Sequence, residues 1–129
     1  MSNSSKQPLE GTKLANYTPG QEIIELGVTD IKDGTGDSVQ PNATISAHYT
    51  GALASDGTIF QSSLDGGEPI TFGLNQVIAG WTQGVPGMKV GGVRRLAIPA
   101  ADAYGPRSPS PNIPPNSDLV FDIELVAIK

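Results

Sequence analysis

The spacing of apolar residues predicts a chain made mostly of β-strands. The clearest strand lies near the end, where apolar residues at positions 119, 121, 123 and 125 alternate with Asp122 and Glu124. Side chains at every second position of a strand point to the same face, so this segment has one apolar and one polar face. Shorter segments bounded by turn residues lie at residues 26–31, 45–50, 59–60, 70–72 and 93–98. The pattern therefore predicts five or six strands.

One segment has the spacing of a helix. Its apolar residues at positions 77, 78, 81 and 85 recur at intervals of three and four, and they include Trp81, the single tryptophan of the chain. This spacing places them on one side of a short helix. Asn75 is a plausible start signal. Pro86–Gly87 predicts the end, because proline cannot continue a helix and glycine accepts the reversed backbone that follows.

These elements predict an α+β fold, in which an antiparallel sheet of five or six strands, either strongly twisted or a half-barrel, folds around one short helix. The folded domain is expected over residues 21–129. Residues 1–20 are polar, contain two prolines and show no periodicity, so they predict a flexible N-terminal tail. Docking of Leu14 and Tyr17 on the domain is the less favoured alternative.

Composition narrows the classes of function. A chain of 129 residues suits one domain. The net charge of −5 argues against nucleic acid or an anionic membrane as the main partner, because both need a clustered basic surface. The absence of cysteine excludes thiol catalysis, disulfides and cysteine-ligated zinc. The compartment stays open between cytoplasmic and extracytoplasmic. The polar start is compatible with a native tail and with release from an upstream anchor or signal segment.

The residues offer little conventional catalytic chemistry. His48 is the only histidine, and no nucleophile elbow surrounds Ser62 or Ser63. A strand histidine with a hydrogen-bond partner is the better interpretation. The acids of residues 32–37 are better explained by a turn than by a calcium loop, which needs alternating oxygen ligands and a distant glutamate. We therefore expect no metal and no cofactor.

A set of aromatic and aliphatic residues stands out instead. Each one taken alone is most simply explained as core. Together with the proline-rich loop Pro99 to Pro115, they could line a shallow apolar pocket with two phenol hydroxyls near it. The set consists of Tyr49, Phe60, Ile70, Phe72, Val77, Ile78, Trp81, Tyr104, Ile113 and Phe121.

Motifs around these residues occur in a specific order. They are His48-Tyr49-Thr50-Gly51, Phe60-Gln61-Ser62-Ser63, Val77-Ile78-Ala79-Gly80-Trp81, Gly84-Val85, Gly87-Met88, Ile98-Pro99, Ala103-Tyr104-Gly105, Ile113-Pro114-Pro115 and Leu119-Val120-Phe121-Asp122-Ile123-Glu124-Leu125. Each motif is weak alone. Their joint order and spacing, from about Leu26 to Lys129, resemble the FKBP-type peptidyl-prolyl cis–trans isomerases.

The resemblance implies a half-barrel around the helix and an isomerase that works without covalent catalysis. The implied catalytic residues are Tyr104, Phe121, Phe60 and Trp81. The implied substrate-binding residues are Tyr49, Gln61, Val77, Ile78 and Ile113. Trp81 would form the pocket floor, while the Tyr104 hydroxyl and the Ile78 backbone N–H would meet a ligand carbonyl. Phe72 is expected only to support the pocket.

The implied partners are proline-containing polypeptides and rapamycin-like macrolides, bound by a monomer that contacts neither nucleic acid nor membrane. Three positions depart from the family pattern. Gln61 replaces a frequent aspartate, Ile70 a frequent aromatic residue, and Pro109 an aromatic residue or histidine found in some members. Gln61 and Ile70 keep open an FKBP-like binding module with little isomerase activity, whereas Pro109 would alter substrate preference. A generic β-rich interaction domain is the alternative without the resemblance.

Overall fold

The computed structural model describes residues 9–20 and 23–129. Within them it has six strands and one α-helix, so the predicted α+β class is confirmed. The elements are β1 (Gly27–Lys32), β2 (Thr44–Leu53), β3 (Ile59–Ser62), β4 (Ile70–Gly73), α1 (Ala79–Gly84), β5 (Val93–Ile98) and β6 (Leu119–Ile128). None of the helices in this part of the chain is long and apolar enough to cross a membrane.

The six strands form one antiparallel sheet, in which five follow the order β1-β5-β6-β2-β3 and β4 lies off this path and pairs with β2. β6 pairs with β2 along the range from Ile45 to Leu53, which occupies one edge of β2. The other edge is shared, because β4 pairs with residues 44–47 and β3 with residues 50–52. The sheet is therefore open and five positions wide, and β2 pairs with the three strands that carry Phe60, Phe72 and Phe121.

The helix is shorter than the spacing predicted. Ile78, and not Asn75, occupies the N-cap position, with an extended backbone (φ −60°, ψ 152°) and no side-chain capping bond. The helical spacing of residues 77 and 78 is therefore misleading: both residues precede the helix. The predicted end is close to the observed one, since the helix stops at Gly84 and Val85 forms the C-cap.

Two glycines let the helix lie close to the sheet. A Cβ atom on Gly80 would lie 2.6 Å from the Ile98 side chain, and one on Gly84 would lie 2.8 Å from Leu96. Real Cβ atoms essentially never approach that closely, so a larger residue at either position would force the buried Ile98 or Leu96 side chain to move. Close approach brings Trp81, between the two glycines, onto the inner face of the sheet.

The sheet has an apolar cluster on each side. The inner cluster faces the helix and includes Trp81, Val85, Leu96, Ile98 and Phe121. The outer cluster lies on the opposite face, because Ala52 and Val120 are paired neighbours that alternate with inward residues. Its buried members are Leu14, Ala52, Ala54, Ile59 and Val120, with Leu9, Tyr17 and Ile23 packed against them.

The N-terminal segment, residues 9–20, covers the outer cluster. Leu14 is only 8% exposed, and the Tyr17 hydroxyl donates to the Ala54 carbonyl at 2.9 Å. Arg95 donates to the carbonyls of Ala15 and Asn16 at 2.9 and 2.7 Å. The disfavoured docking of Leu14 and Tyr17 is therefore what the structure shows. A boundary at residue 20 stays a prediction, and residues 1–8 and 21–22 lie outside the described part.

Candidate active site

A cavity of about 470 Å³ opens on the inner side of the sheet. We call it the aromatic cavity. It lies between the start of the helix, strands β2, β3, β4 and β6, and the loop that carries Tyr104. Its lining consists of Tyr49, Phe60, Gln61, Ile70, Phe72, Gln76, Val77, Ile78, Trp81, Tyr104 and Phe121.

Trp81 is the centre of the aromatic packing. Its ring centroid lies 5.4 Å from that of Tyr49, 5.0 Å from Phe72 and 5.2 Å from Phe121. Phe60 joins the group through Phe121, with centroids 5.7 Å apart. Three of these four pairs meet edge to face, an arrangement that favours rigid packing of aromatic rings. The cavity floor is therefore fixed in shape by rings that also belong to the core.

Gly51 makes room for two of those rings. A Cβ atom at this position would lie 2.6 Å from Phe60 and 2.7 Å from Phe121. Gly51 pairs with Phe121 across β2 and β6, and with Gln61 across β2 and β3. A glycine in the middle of a strand often marks a close approach of another group. Here it lets the rings of two neighbouring strands meet over the backbone of β2.

Polar groups lie at the rim of the cavity. The Ile78 carbonyl accepts the backbone N–H groups of Trp81 and Thr82, whereas no group in residues 9–20 or 23–129 accepts the Ile78 N–H. That N–H precedes the helix and is one of the orphan donors of a helix start. Tyr104 lies across the cavity and is 37% exposed. The rim thus presents a free backbone donor and a phenol hydroxyl.

Tyr49 supplies a second phenol. Burial raises the pKa of Tyr49 above its ordinary value of 10.0, and the neighbouring Tyr104 phenol contributes a smaller increase. The hydroxyl of Tyr49 therefore stays protonated through neutral pH and can donate a hydrogen bond. The proximity of the two phenols also shows that β2 and the Tyr104 loop converge on the same opening.

The structure brings together eight of the nine site residues predicted from the sequence. The exception is Ile113, which is 5% exposed and packs in the inner cluster without lining the cavity. The sequence reasoning missed Gln76, an exposed polar residue without any periodic signal. Phe72, expected as support, lines the cavity itself.

His48 has the hydrogen-bond partner expected of a strand histidine. Its Nδ1 lies 3.0 Å from Ser63 Oγ. The same oxygen accepts the Tyr49 backbone N–H at 2.8 Å, so this serine links a strand to the turn that follows β3. Neither residue lines the aromatic cavity. Among the described residues, no three His, Cys, Asp or Glu side chains cluster in a way that could hold a metal ion.

Comparison with known proteins identifies the family. The family model of the FKBP-type peptidyl-prolyl cis–trans isomerases matches residues 36–126. Peptidyl-prolyl cis-trans isomerase FPR2 of Saccharomyces cerevisiae is 52% identical over 91 residues, which are 69% of this chain and 67% of the yeast protein. The FK506-binding protein of Streptomyces anulatus is 43% identical over 88% of this chain and 94% of its own length.

Longer relatives and solved structures agree. The isomerase FkpA of Aeromonas hydrophila is 50% identical over 85% of this chain, which spans only 41% of that protein. The crystal structure of AtFKBP13 superposes with a TM-score of 0.73 and 39% identity, covering 81% of this chain and 93% of the other. FkpA of Escherichia coli gives a TM-score of 0.73 with 42% identity, over 81% of this chain and 48% of the other. By its match to the family model and its identity to these relatives, this chain belongs to the FKBP-type peptidyl-prolyl cis–trans isomerase family.

Proposed function

We propose that the aromatic cavity receives a proline ring of a polypeptide substrate and accelerates rotation about the peptide bond before it. The observation that carries this proposal is a cavity with a floor of aromatic rings and with free hydrogen-bond donors at its rim. A proline ring is apolar and compact, and the bond that must rotate adjoins a carbonyl oxygen. The two parts of the cavity match these two parts of the substrate.

The reaction needs no covalent chemistry. Peptide rotation is opposed by resonance, with a barrier of about 18–20 kcal/mol, and an X–Pro bond isomerises in tens to hundreds of seconds without help. The planar amide has more charge separation than the twisted one, so water stabilises the planar state better. An apolar site removes that preference. Catalysis then follows from binding the twisted geometry more tightly than the planar one.

The rim residues would select the twisted geometry. The Ile78 N–H and the Tyr104 hydroxyl can donate to carbonyls of a chain that bends at the proline. The rings of Trp81 and Phe121 would hold the proline itself by apolar packing. Tyr49, a phenol that is protonated at neutral pH, adds a third donor at the edge. These roles require fixed positions and no proton transfer.

Some relatives are named for a ligand that they bind. Proteins from Streptomyces anulatus and Neisseria meningitidis carry the name FK506-binding protein. We extend that property to this chain and propose that rapamycin-like macrolides compete with polypeptides for the aromatic cavity. We also propose that the monomer suffices, because one chain supplies the complete lining.

A peptide assay with a macrolide tests the proposal. Isomerisation of a proline peptide is followed by NMR exchange, with and without rapamycin, and binding is followed through the fluorescence of Trp81, the only tryptophan. We expect acceleration that rapamycin abolishes at one equivalent. Val126→Ala, at an exposed position outside the cavity, is the control and should behave as the unmodified chain. Binding of rapamycin without acceleration of peptide isomerisation would refute the proposed isomerase and favour a binding module.

A further inference from the structure

A second cavity, of about 180 Å³, lies beside the aromatic cavity. It is lined by Glu10, Gly11, Thr58, Ile59, Phe60 and Asn112. Phe60 lines both cavities, so the two cavities adjoin at this residue. A polypeptide that places its proline in the aromatic cavity can therefore reach the second cavity with a nearby side chain.

The N-terminal segment forms one wall of this second cavity. The Gly11 N–H donates to the Ile59 carbonyl at 2.7 Å, and the Ile59 N–H donates to the Thr12 carbonyl at 2.7 Å, so the segment runs along the edge of β3. The carboxylate of Asp65 accepts the backbone N–H groups of Leu9 and Glu10 at 2.7 and 3.1 Å. These bonds fix the backbone of Glu10 while its carboxylate is left for other contacts.

The loop after β5 forms the opposite wall. The Asn112 amide lies 3.5 Å from Glu10 Oε2, which joins the loop that carries Tyr104 to the N-terminal segment. Glu10 is the only charged residue that lines the second cavity. It lies outside residues 36–126, the part matched by the family model. One wall of the second cavity therefore comes from outside the part of the chain that the family model matches.

Charges around the second cavity are mainly negative. Lys13 lies nearby, with its Nζ 2.8 Å from Thr58 Oγ1 and 3.9 Å from Asp56. Three carboxylates, those of Glu10, Asp56 and Asp65, outnumber this one ammonium group. The side chains of Ile59 and Phe60 are buried next to them. Such surroundings suit a side chain with an apolar stem and a cationic head, which is the chemistry of arginine and lysine.

We propose that the second cavity binds a basic side chain of the substrate, close in sequence to the proline held in the aromatic cavity. This proposal rests on the proposed isomerase function and adds a specificity to it. An extended chain advances about 3.3–3.6 Å per residue, so a side chain about two residues from the proline reaches past Phe60. Glu10 is the specificity-determining residue.

The test compares peptides that differ at one position. Two proline peptides carry either arginine or norleucine two residues before the proline, and a second pair carries the same exchange two residues after it. We expect kcat/KM of the unmodified chain to be about three- to fivefold higher for arginine in one of the two pairs, as for a partly exposed ion pair. The preference should shrink when the salt concentration rises to about 0.5 M.

Variants assign the preference to Glu10. Glu10→Gln should reduce the arginine-to-norleucine ratio to about one, and Glu10→Lys should make a matching glutamate peptide better than the arginine peptide. A purely structural role of Glu10 would not invert the ratio. Glu25→Gln, before the opposite edge strand β1, removes an exposed carboxylate far along the sheet and should leave the ratio unchanged.

Three results would overturn the proposal: no preference in either pair, a preference that survives in Glu10→Gln, or equal loss in Glu25→Gln. Titration of Trp81 fluorescence with the same peptides gives the ratio of dissociation constants even without turnover. A chain that binds the arginine peptide more tightly but accelerates neither peptide would refute the isomerase and keep the second cavity. Acceleration of both peptides without a preference for arginine would keep the isomerase and refute the role of the second cavity.

Discussion

The two faces of the sheet are packed in different ways. On the inner face, large rings meet around Trp81 and still leave an opening of about 470 Å³. On the outer face, small and medium aliphatic residues such as Ala52 and Val120 are covered by Leu14 of the N-terminal segment. The comparison shows that the site is the face whose apolar residues the chain does not fully cover itself.

Strand β2 supplies both faces. Tyr49 and Gly51 lie on the inner side, while Ala52 belongs to the outer cluster. The small residues make room for different groups on the two sides. Glycine makes room for two rings on the inner side, and alanine makes room for the N-terminal segment on the outer side. Alternation of side chains along a strand lets one short segment serve both purposes. Substitutions on the two faces should therefore separate activity from stability.

The largest effect is expected from Phe121→Ala on the inner face. The ring is 4% exposed and touches three other aromatic residues, so its loss should destabilise the fold by about 3–5 kcal/mol. Activity should fall strongly as well, because the ring also lines the cavity. Denaturant unfolding gives the first number, and kcat/KM at a temperature where the variant is folded gives the second. Unchanged activity in the folded variant would remove Phe121 from the site.

The matching change on the outer face is Leu14→Ala. We expect a loss of about 2 kcal/mol in the free energy of unfolding, at the low end for leucine, because the residue lies at the margin of its cluster. The kcat/KM for an uncharged peptide should stay constant. Ile24→Ala is the control, since Ile24 is 83% exposed. A large fall in activity for Leu14→Ala would show that the two faces are coupled.

Two phenols allow a finer comparison. Tyr104→Phe removes a hydroxyl from the cavity rim, and we expect kcat/KM to fall about fivefold, as for the loss of about 1 kcal/mol from one hydrogen bond. The free energy of unfolding of Tyr104→Phe should equal that of the unmodified chain. Tyr17→Phe removes the hydroxyl that donates to the Ala54 carbonyl on the outer face. That variant should lose stability and keep its activity; the reverse pattern would contradict the assignment of both residues.

The smallest effect is expected from Gln61→Asp. Gln61 is exposed at the rim, at a position where the family resemblance leads us to expect aspartate. A restored charge should change kcat/KM and rapamycin affinity by about two- to fivefold, the range of an exposed charged contact. Gln40→Asp, exposed in a loop outside the cavity, controls for the added charge. If both measurements stay constant for Gln61→Asp, the charge at this position does not contribute to binding here.

Local pattern predicted the elements better than their ends. The strands were found because alternation is a property of neighbouring residues, as in β6. The start of the helix was misplaced at Asn75, because Val77 and Ile78 have helical spacing but an extended or irregular backbone ahead of Ala79. Their apolar side chains pack on the inner cluster from the approach to the helix. These two residues therefore have the apolar spacing of a helix because they are partly buried, and not because they are helical.

The sequence by itself determined the β-rich fold, the short helix with Trp81 and the residues able to form an apolar site. Only the tertiary structure decided which residues line the cavity. In it Ile113 is buried in the core, and Gln76 lines the cavity. It also decided that residues 9–20 cover the outer face, held by bonds such as that from Arg95 to the Ala15 carbonyl, 80 positions away. The physical reason is that periodicity reports which side chains avoid water. Contacts between distant segments decide what covers them.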